Sequence, residues 1–268
     1  MKFDMNDAWS RALTLFRGNR DLVLVTAGVF FALPYLALFL TLPQMIGEVP
    51  QQGATPEAME AFIRGLPAML WWVVILVGLV QWVGTLGLLA LVGDQTRPTL
   101  GSALKRGFIA LAPYLAAQLV VTLGMQLLAL AVQVLVGQTG SPGLRIVTDM
   151  LIIAAMLYVM ARFSLTGPAM VLEGSYNPVR ALRRSFALTA GNGVRLAVFY
   201  LLVGLAALIL GIVVFFVVTL PFSLGGADAA TIGAALVLAA VIAVVLVLMM
   251  AVTAAAYRQL AAGGAGQT

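Results

Sequence analysis

Four arginines and one glutamate stand out in ARFSLTGPAMVLEGSYNPVRALRRSFALTAGN (Ala161–Asn192): Arg162, Glu173, Arg180, Arg183 and Arg184. A guanidinium donates in a planar fork that matches carboxylates and phosphates. Such a set suits anion recognition rather than bond breaking. Arg162 is the most unusual member. It lies in the apolar context MLYVMARFSL, where an ionisable side chain is a functional candidate by default. Two ordinary fates compete with a ligand role. Arg162 can snorkel to lipid head groups, or bond carbonyls released where Gly167-Pro168 ends or kinks the helix. Glu173 is its expected partner. Two related basic stretches, AWSRALTLFRGN (Ala8–Asn19) and ALKRGF (Ala103–Phe108), add Arg11, Arg17, Lys105 and Arg106. The first shares five spaced identities with Ala181–Asn192: Ala8/Ala181, Arg11/Arg184, Leu15/Leu188, Gly18/Gly191 and Asn19/Asn192.

The 268 residues hold no histidine and no cysteine. The commonest general base and metal ligand are therefore missing, as are disulfides and thiolate sites. With 62% hydrophobic and 9% charged residues, against about 25% charged in soluble domains, the chain is suited to lipid. No cofactor is expected, and the balance favours a protein that is not an enzyme.

A bilayer core needs about 20 apolar residues per helix. Six segments qualify: roughly Leu22–Pro43, Pro67–Val92, Leu111–Val136, Ile146–Leu165, Leu196–Pro221 and Thr231–Ala256. The first is longer than a signal-peptide core, about 7–15 residues, and reads as a retained anchor. Sorting the cations by connection puts thirteen of fifteen on one side. These are Lys2, Arg11, Arg17 and Arg20 before span 1; Arg97, Lys105 and Arg106 between spans 2 and 3; Arg162, Arg180, Arg183, Arg184 and Arg195 around the connection from span 4 to span 5; and Arg258 in the tail. Only Arg64 and Arg145 fall opposite, while the acidic Glu48, Glu57, Glu60 and Asp228 carry little weight. The positive-inside rule then puts both termini in the cytoplasm.

The basic stretches precede spans 1, 3 and 5. Each reads as a short amphipathic helix in the inner interface, at about 5–18, 98–110 and 178–190, with its arginines toward anionic head groups. Their apolar stripes are Trp9, Ala12, Leu13 and Phe16; Leu100, Ala103, Leu104, Phe108 and Leu111; and Val179, Leu182 and Phe186. Asn177 is an N-cap and Pro178 suits the first helical turn. Gly18 and Gly191 are positioned to end their helices. The common placement suggests three repeated units, each an interfacial helix followed by an out-and-back pair of spans. On span 3, Gln118, Thr122, Gln126 and Gln133 share one face, expected to meet other helices, with Gln81 and Thr85 as partners. Its sharper alternative is the lining of a polar path. Arg145 and Asp149 are spaced for a helical ion pair. Gly78, Gly84 and Gly87 allow close packing. TPEAMEAFIRG reads as a small capped helix with a Glu60–Arg64 pair.

The stretch Ala161–Asn192 resembles the signature of the bacterial membrane domain associated with glycerophosphodiester phosphodiesterases, and is similar to related uncharacterised six-span inner-membrane proteins. The matching positions are Arg162, Pro168, Glu173, Ala181, Arg184, Ser185, Leu188 and Gly191. The resemblance implies a membrane module rather than a hydrolase. That family's catalytic barrel is a separate domain whose acid–base residues are histidines, and this chain has none.

The combined expectation is an all-α polytopic protein: one integral membrane domain over residues 1–268, with six transmembrane helices and short interfacial helices. It is read as a non-enzymatic structural or accessory factor of the bacterial cytoplasmic membrane, in lipid or envelope homeostasis. Its head-group candidates are Arg11, Arg17, Lys105, Arg106, Arg180, Arg183 and Arg184. Arg162, Glu173, Gln118, Gln126 and Gln133 are the intramembrane polar candidates. Partners are membrane phospholipids and an unidentified membrane protein, not nucleic acid. The competing reading is a small transporter or channel using spans 3 and 4.

Overall fold

A computed structural model describes residues 2–18, 20–46, 55–94, 98–137 and 142–265. Asn19, Glu48 and Arg97 lie outside the described residues. Every described element is helical. The order is α1 (Met5–Gly18), α2 (Arg20–Ala27), a π-helical turn (Gly28–Ala32), α3 (Leu33–Ile46), α4 (Pro56–Gly65), α5 (Ala68–Gly93) and α6 (Leu100–Gly137). There follow α7 (Pro142–Phe163), α8 (Thr166–Glu173), α9 (Pro178–Leu188), α10 (Gly193–Ser223) and α11 (Ala227–Ala265). Six stretches are long and apolar enough to cross a membrane: Arg20–Leu42, Met69–Gly93, Leu100–Val136, Gly143–Glu173, Gly193–Ser223 and Ala227–Ala262. The chain is a multi-pass membrane protein.

Two compact units are present. One comprises Met1–Arg20, Leu86–Ala206 and Met249–Thr268, the other Asp21–Thr85 and Ala207–Leu248. In the second unit, Pro34 explains the π-helical turn. Proline has no N–H to continue an α-helical ladder. The chain inserts a wider turn, with the Leu33 N–H donating to the Gly28 carbonyl. Phe31 in this turn is fully buried. A Cβ on Gly84 would collide with Phe30, and one on Gly211 would come within 2.9 Å of Val241. Small residues set close approach here, as expected where lipid gives helices little hydrophobic reason to associate. Helix α4 is the small capped helix read from the sequence. The Thr55 side chain accepts from the Ala58 N–H at 3.3 Å, and Arg64 donates to Glu60. The Glu57 carboxyl is held below its ordinary range by its own backbone N–H and by Thr55.

The first unit is built around α8. Residues Thr166–Val171 are all buried. Pro168 falls in the first turn of α8, where a missing N–H costs no helical bond. The break therefore comes at Ser164–Leu165, ahead of Gly167-Pro168. Gly167 packs so tightly that a Cβ would sit 3.2–3.5 Å from Leu89, Tyr114 and Leu86. Leu86, Leu88, Leu91, Leu165, Met170, Leu196 and Val252 complete the buried core of this unit.

The second basic stretch is not a separate helix. α6 runs unbroken from Leu100 to Gly137 through Pro113. A proline inside a membrane helix is tolerated where local adjustment re-satisfies the freed carbonyl.

Candidate functional site

The arginines of Ala161–Asn192 divide by what they touch. Arg162 is the last-turn cation of α7, and it is only 6% exposed. Its Nη1 donates to the Thr189 carbonyl at 2.8 Å. Its guanidinium lies 3.7 Å from the centre of the Phe186 ring, a cation–π contact. The exchange is reciprocal: Ser185 Oγ and Thr189 Oγ1 donate to the Arg162 carbonyl at 2.8 and 3.3 Å. The side chain of α7 thus caps the end of α9, and hydroxyls of α9 cap the end of α7. Both carbonyls lie at helix ends, which lack the next turn's donors, and that of Thr189 also accepts from the Asn192 N–H at 3.0 Å. The expected Arg162–Glu173 pair does not form, and Arg162 does not snorkel. Its reach is taken up by Thr189 and Phe186, because α9 folds back beside the last turn of α7.

Glu173 closes α8 and pairs elsewhere. It accepts from Arg184 Nε at 2.7 Å and from the Tyr257 hydroxyl at 2.5 Å. The Glu173 carboxylate raises the Arg184 pKa above its ordinary value. Gly174 (φ 66°) and Gly191 (φ 71°) take left-handed conformations, which an ordinary side chain disfavours. They turn the chain out of α8 and into α10. Asn177 caps α9, accepting from the Arg180 N–H at 3.0 Å, as the sequence indicates. Gly18 ends α1 as expected, but with no positive φ.

The termini of other helices join this unit through polar contacts. The Phe3 N–H donates to Asn192 Oδ1 at 2.8 Å. Gln259 Nε2 donates to Asp7 Oδ2 at 3.0 Å, and Asp7 also pairs with Arg11 at 2.7 Å. Arg258 donates twice to the Gly93 carbonyl, at 3.0 and 2.8 Å. Arg106 pairs with Asp94 at 2.7 Å. By contrast, Arg17, Lys105, Arg180 and Arg183 are exposed and make no ion pair or hydrogen bond through their side chains among the described residues.

The apolar stripes behave unlike the sequence expectation. In α9 the buried positions are Ala181 and Ser185, while Val179 and Phe186 are about half exposed. In α1 the buried positions are Ala8 and Ala12, with Trp9 exposed. At the start of α6 Ala103, Gly107 and Ala110 are buried and Phe108 is exposed. Small side chains face the protein and large ones face outward, since tight backbone approach is worth more than bulk where the surroundings are themselves apolar.

The span 3 stripe is likewise corrected. Gln118 bonds Tyr114 of its own helix at 3.1 Å. Thr122, Gln126 and Gln133 are exposed rather than packed between helices, and Gln81 Nε2 is buried without a partner. Gln133 lines a cleft of about 300 Å³ with Arg145, Thr148 and Asp149. Arg145 and Asp149 form no ion pair there. Sequence reasoning missed Tyr257 and Gln259 as partners. Their signal was present in AAAYRQL, a polar cluster that interrupts an alanine run at the end of span 6.

Residues 140–262 match the family described as the membrane domain of glycerophosphoryl diester phosphodiesterase. The match bears out the resemblance carried by Ala161–Asn192 and takes in α8, α9 and the last three spans. The matched family is a membrane domain, not a catalytic one. No curated protein and no solved structure matches the chain.

Proposed function

Taking that membrane-domain match as the premise, we propose that the chain is a non-enzymatic accessory or structural component of the bacterial cytoplasmic membrane. Its basic face holds anionic phospholipid, and its role lies in lipid or envelope homeostasis. One observation carries the reading. The head-group candidates divide into those consumed by the fold (Arg11, Arg106 and Arg184, as Arg162 and Arg258 also are) and those left outward (Arg17, Lys105, Arg180 and Arg183). A fold that needed arginine only for its own carbonyls would have no use for the second set. Each outward cation near an anionic surface contributes about 1 kcal/mol.

The test follows the division. Reversing Lys105, Arg180 and Arg183 to Glu should lower the anionic phospholipid that copurifies with the protein, leaving the Arg184–Glu173 pair in place. Unchanged copurification defeats the lipid reading. The accompanying topology puts both termini in the cytoplasm. The chain lacks native cysteine, so Glu60→Cys and Gly225→Cys should each be labelled by an impermeant thiol reagent from outside. Labelling only from inside overturns it. The transporter reading finds less support, because Arg162 is occupied by Thr189 and Phe186 rather than open to a path.

A further inference from the structure

An apolar groove of about 620 Å³ runs between α6, α7 and α9. That size falls within the usual range for small-molecule sites, about 300–1,000 Å³. Val120 and Gly124 of α6, Val159 and Phe163 of α7, and Leu182 and Phe186 of α9 line it. Arg183 is its single charged lining residue. We propose that this groove is a discrete site for one anionic phospholipid, with an acyl chain along the groove and the phosphate on Arg183. The proposal rests on the lipid reading above and narrows it to one place.

Three observations select this occupant. First, apart from Arg183 the lining is apolar, so a peptide strand laid there would leave its amides unpaired at a cost of several kcal/mol, whereas an acyl chain asks for no partner. Second, Arg183 is exposed and free of any ion pair among the described residues. Arg180 lies one turn away on α9, also exposed and unpaired through its side chain, so two guanidinium groups are available to one phosphate. Third, the wall is held in shape without the occupant. Arg162 sits against the Phe186 ring at 3.7 Å, and Phe163 lies 6.1 Å from it, centre to centre.

Gly124 offers a clean way to close the groove. A Cβ there would meet no atom within 4 Å, so a larger side chain starts in open space at the groove wall. Native mass spectrometry can compare the wild type, Gly124→Phe and Arg183→Gln in micelles carrying phosphatidylglycerol or phosphatidylcholine. The wild type should retain one phosphatidylglycerol per chain, at about tenfold preference over phosphatidylcholine, the ratio set by about 1.4 kcal/mol. Arg183→Gln should remove the preference, and Gly124→Phe should remove retention of both lipids. If Gly124→Phe retains phosphatidylglycerol as the wild type does, the groove is not the site, while diffuse attraction to the basic face survives. If the triple Lys105, Arg180 and Arg183 reversal also leaves retention unchanged, the broader reading falls too. A dimer mass in the wild type that Gly124→Phe abolishes would make the groove an interface between copies and overturn the proposal.

Discussion

The two compact units are held by different kinds of contact. In Asp21–Thr85 with Ala207–Leu248, the hydroxyls of Thr26, Thr41, Thr219 and Thr231 bond carbonyls of their own helices. What joins the elements there is shape: Phe30 against Gly84, Val241 against Gly211, and Phe222 against Gly233. The other unit adds directional bonds between distant segments, including Arg162 to Thr189, Tyr257 to Glu173, and Arg258 to Gly93. Lipid offers no hydrophobic reward for bringing helices together. Close fit and hydrogen bonding are the remaining ways to specify an arrangement. The unit around α8 combines both, with Gly167 tight against Leu89, Tyr114 and Leu86, while close fit is the chief contact between elements of the other among the described residues.

The comparison predicts an ordered set of effects. The largest belongs to Arg162→Leu. It removes the charged donor to the Thr189 carbonyl, leaving the Asn192 N–H on it, and removes the cation–π contact with Phe186, at a combined cost of about 3 kcal/mol, read from unfolding in mixed micelles by tryptophan fluorescence. Arg162→Lys should recover only part, since an ammonium cannot copy the planar contacts of the guanidinium. A loss below the noise of the measurement would place Arg162 outside the lock. Next comes Gly211→Leu in the shape-held unit, where overpacking against Val241 should cost about 2 kcal/mol. It should do so at any ionic strength. Glu173→Gln should cost about 1 kcal/mol or less, because the ion pair with Arg184 is partly exposed and screened by solvent. Its amide oxygen still accepts from Tyr257. The Glu173 effect should shrink with added salt, and an equal shrinkage at Gly211 would erase the distinction between the units. Smallest is Lys105→Gln, an outward cation, with a stability change within about 0.5 kcal/mol.

The six spans were legible because their length and apolar content leave few alternatives. The α9 cap was legible because Asn177-Pro178 is a local signal that needs no tertiary partner. The stretch around Lys105 was misread as a separate helix because its apolar stripe and its place before span 3 match those of the other two basic stretches, whereas the helix runs on unbroken through Pro113. The amphipathic stripes misled for a related reason. In water the bulky apolar face turns inward; here Ala181 and Ser185 turn inward while Phe186 faces out. The partners of Arg162 and Glu173 were also hidden. Both sit on the same short stretch and have opposite charge, yet the turn at Gly174 sends Glu173 toward Arg184 and Tyr257. Which of several nearby groups meet is decided by one backbone turn, and composition carries no trace of it.

The bond from Gln259 to Asp7 joins residues 252 positions apart, and that from Phe3 to Asn192 joins residues 189 apart. A ribosome adding about 5–20 residues per second needs roughly 10–50 s to bring the later partner of Asp7 into being. Helix α1 is thus made well before the residues that seat it. During that interval Asp7 and the Phe3 amide lack these two partners. A chain halted before Asn192 would leave Phe3 and Asp7 without these two partners.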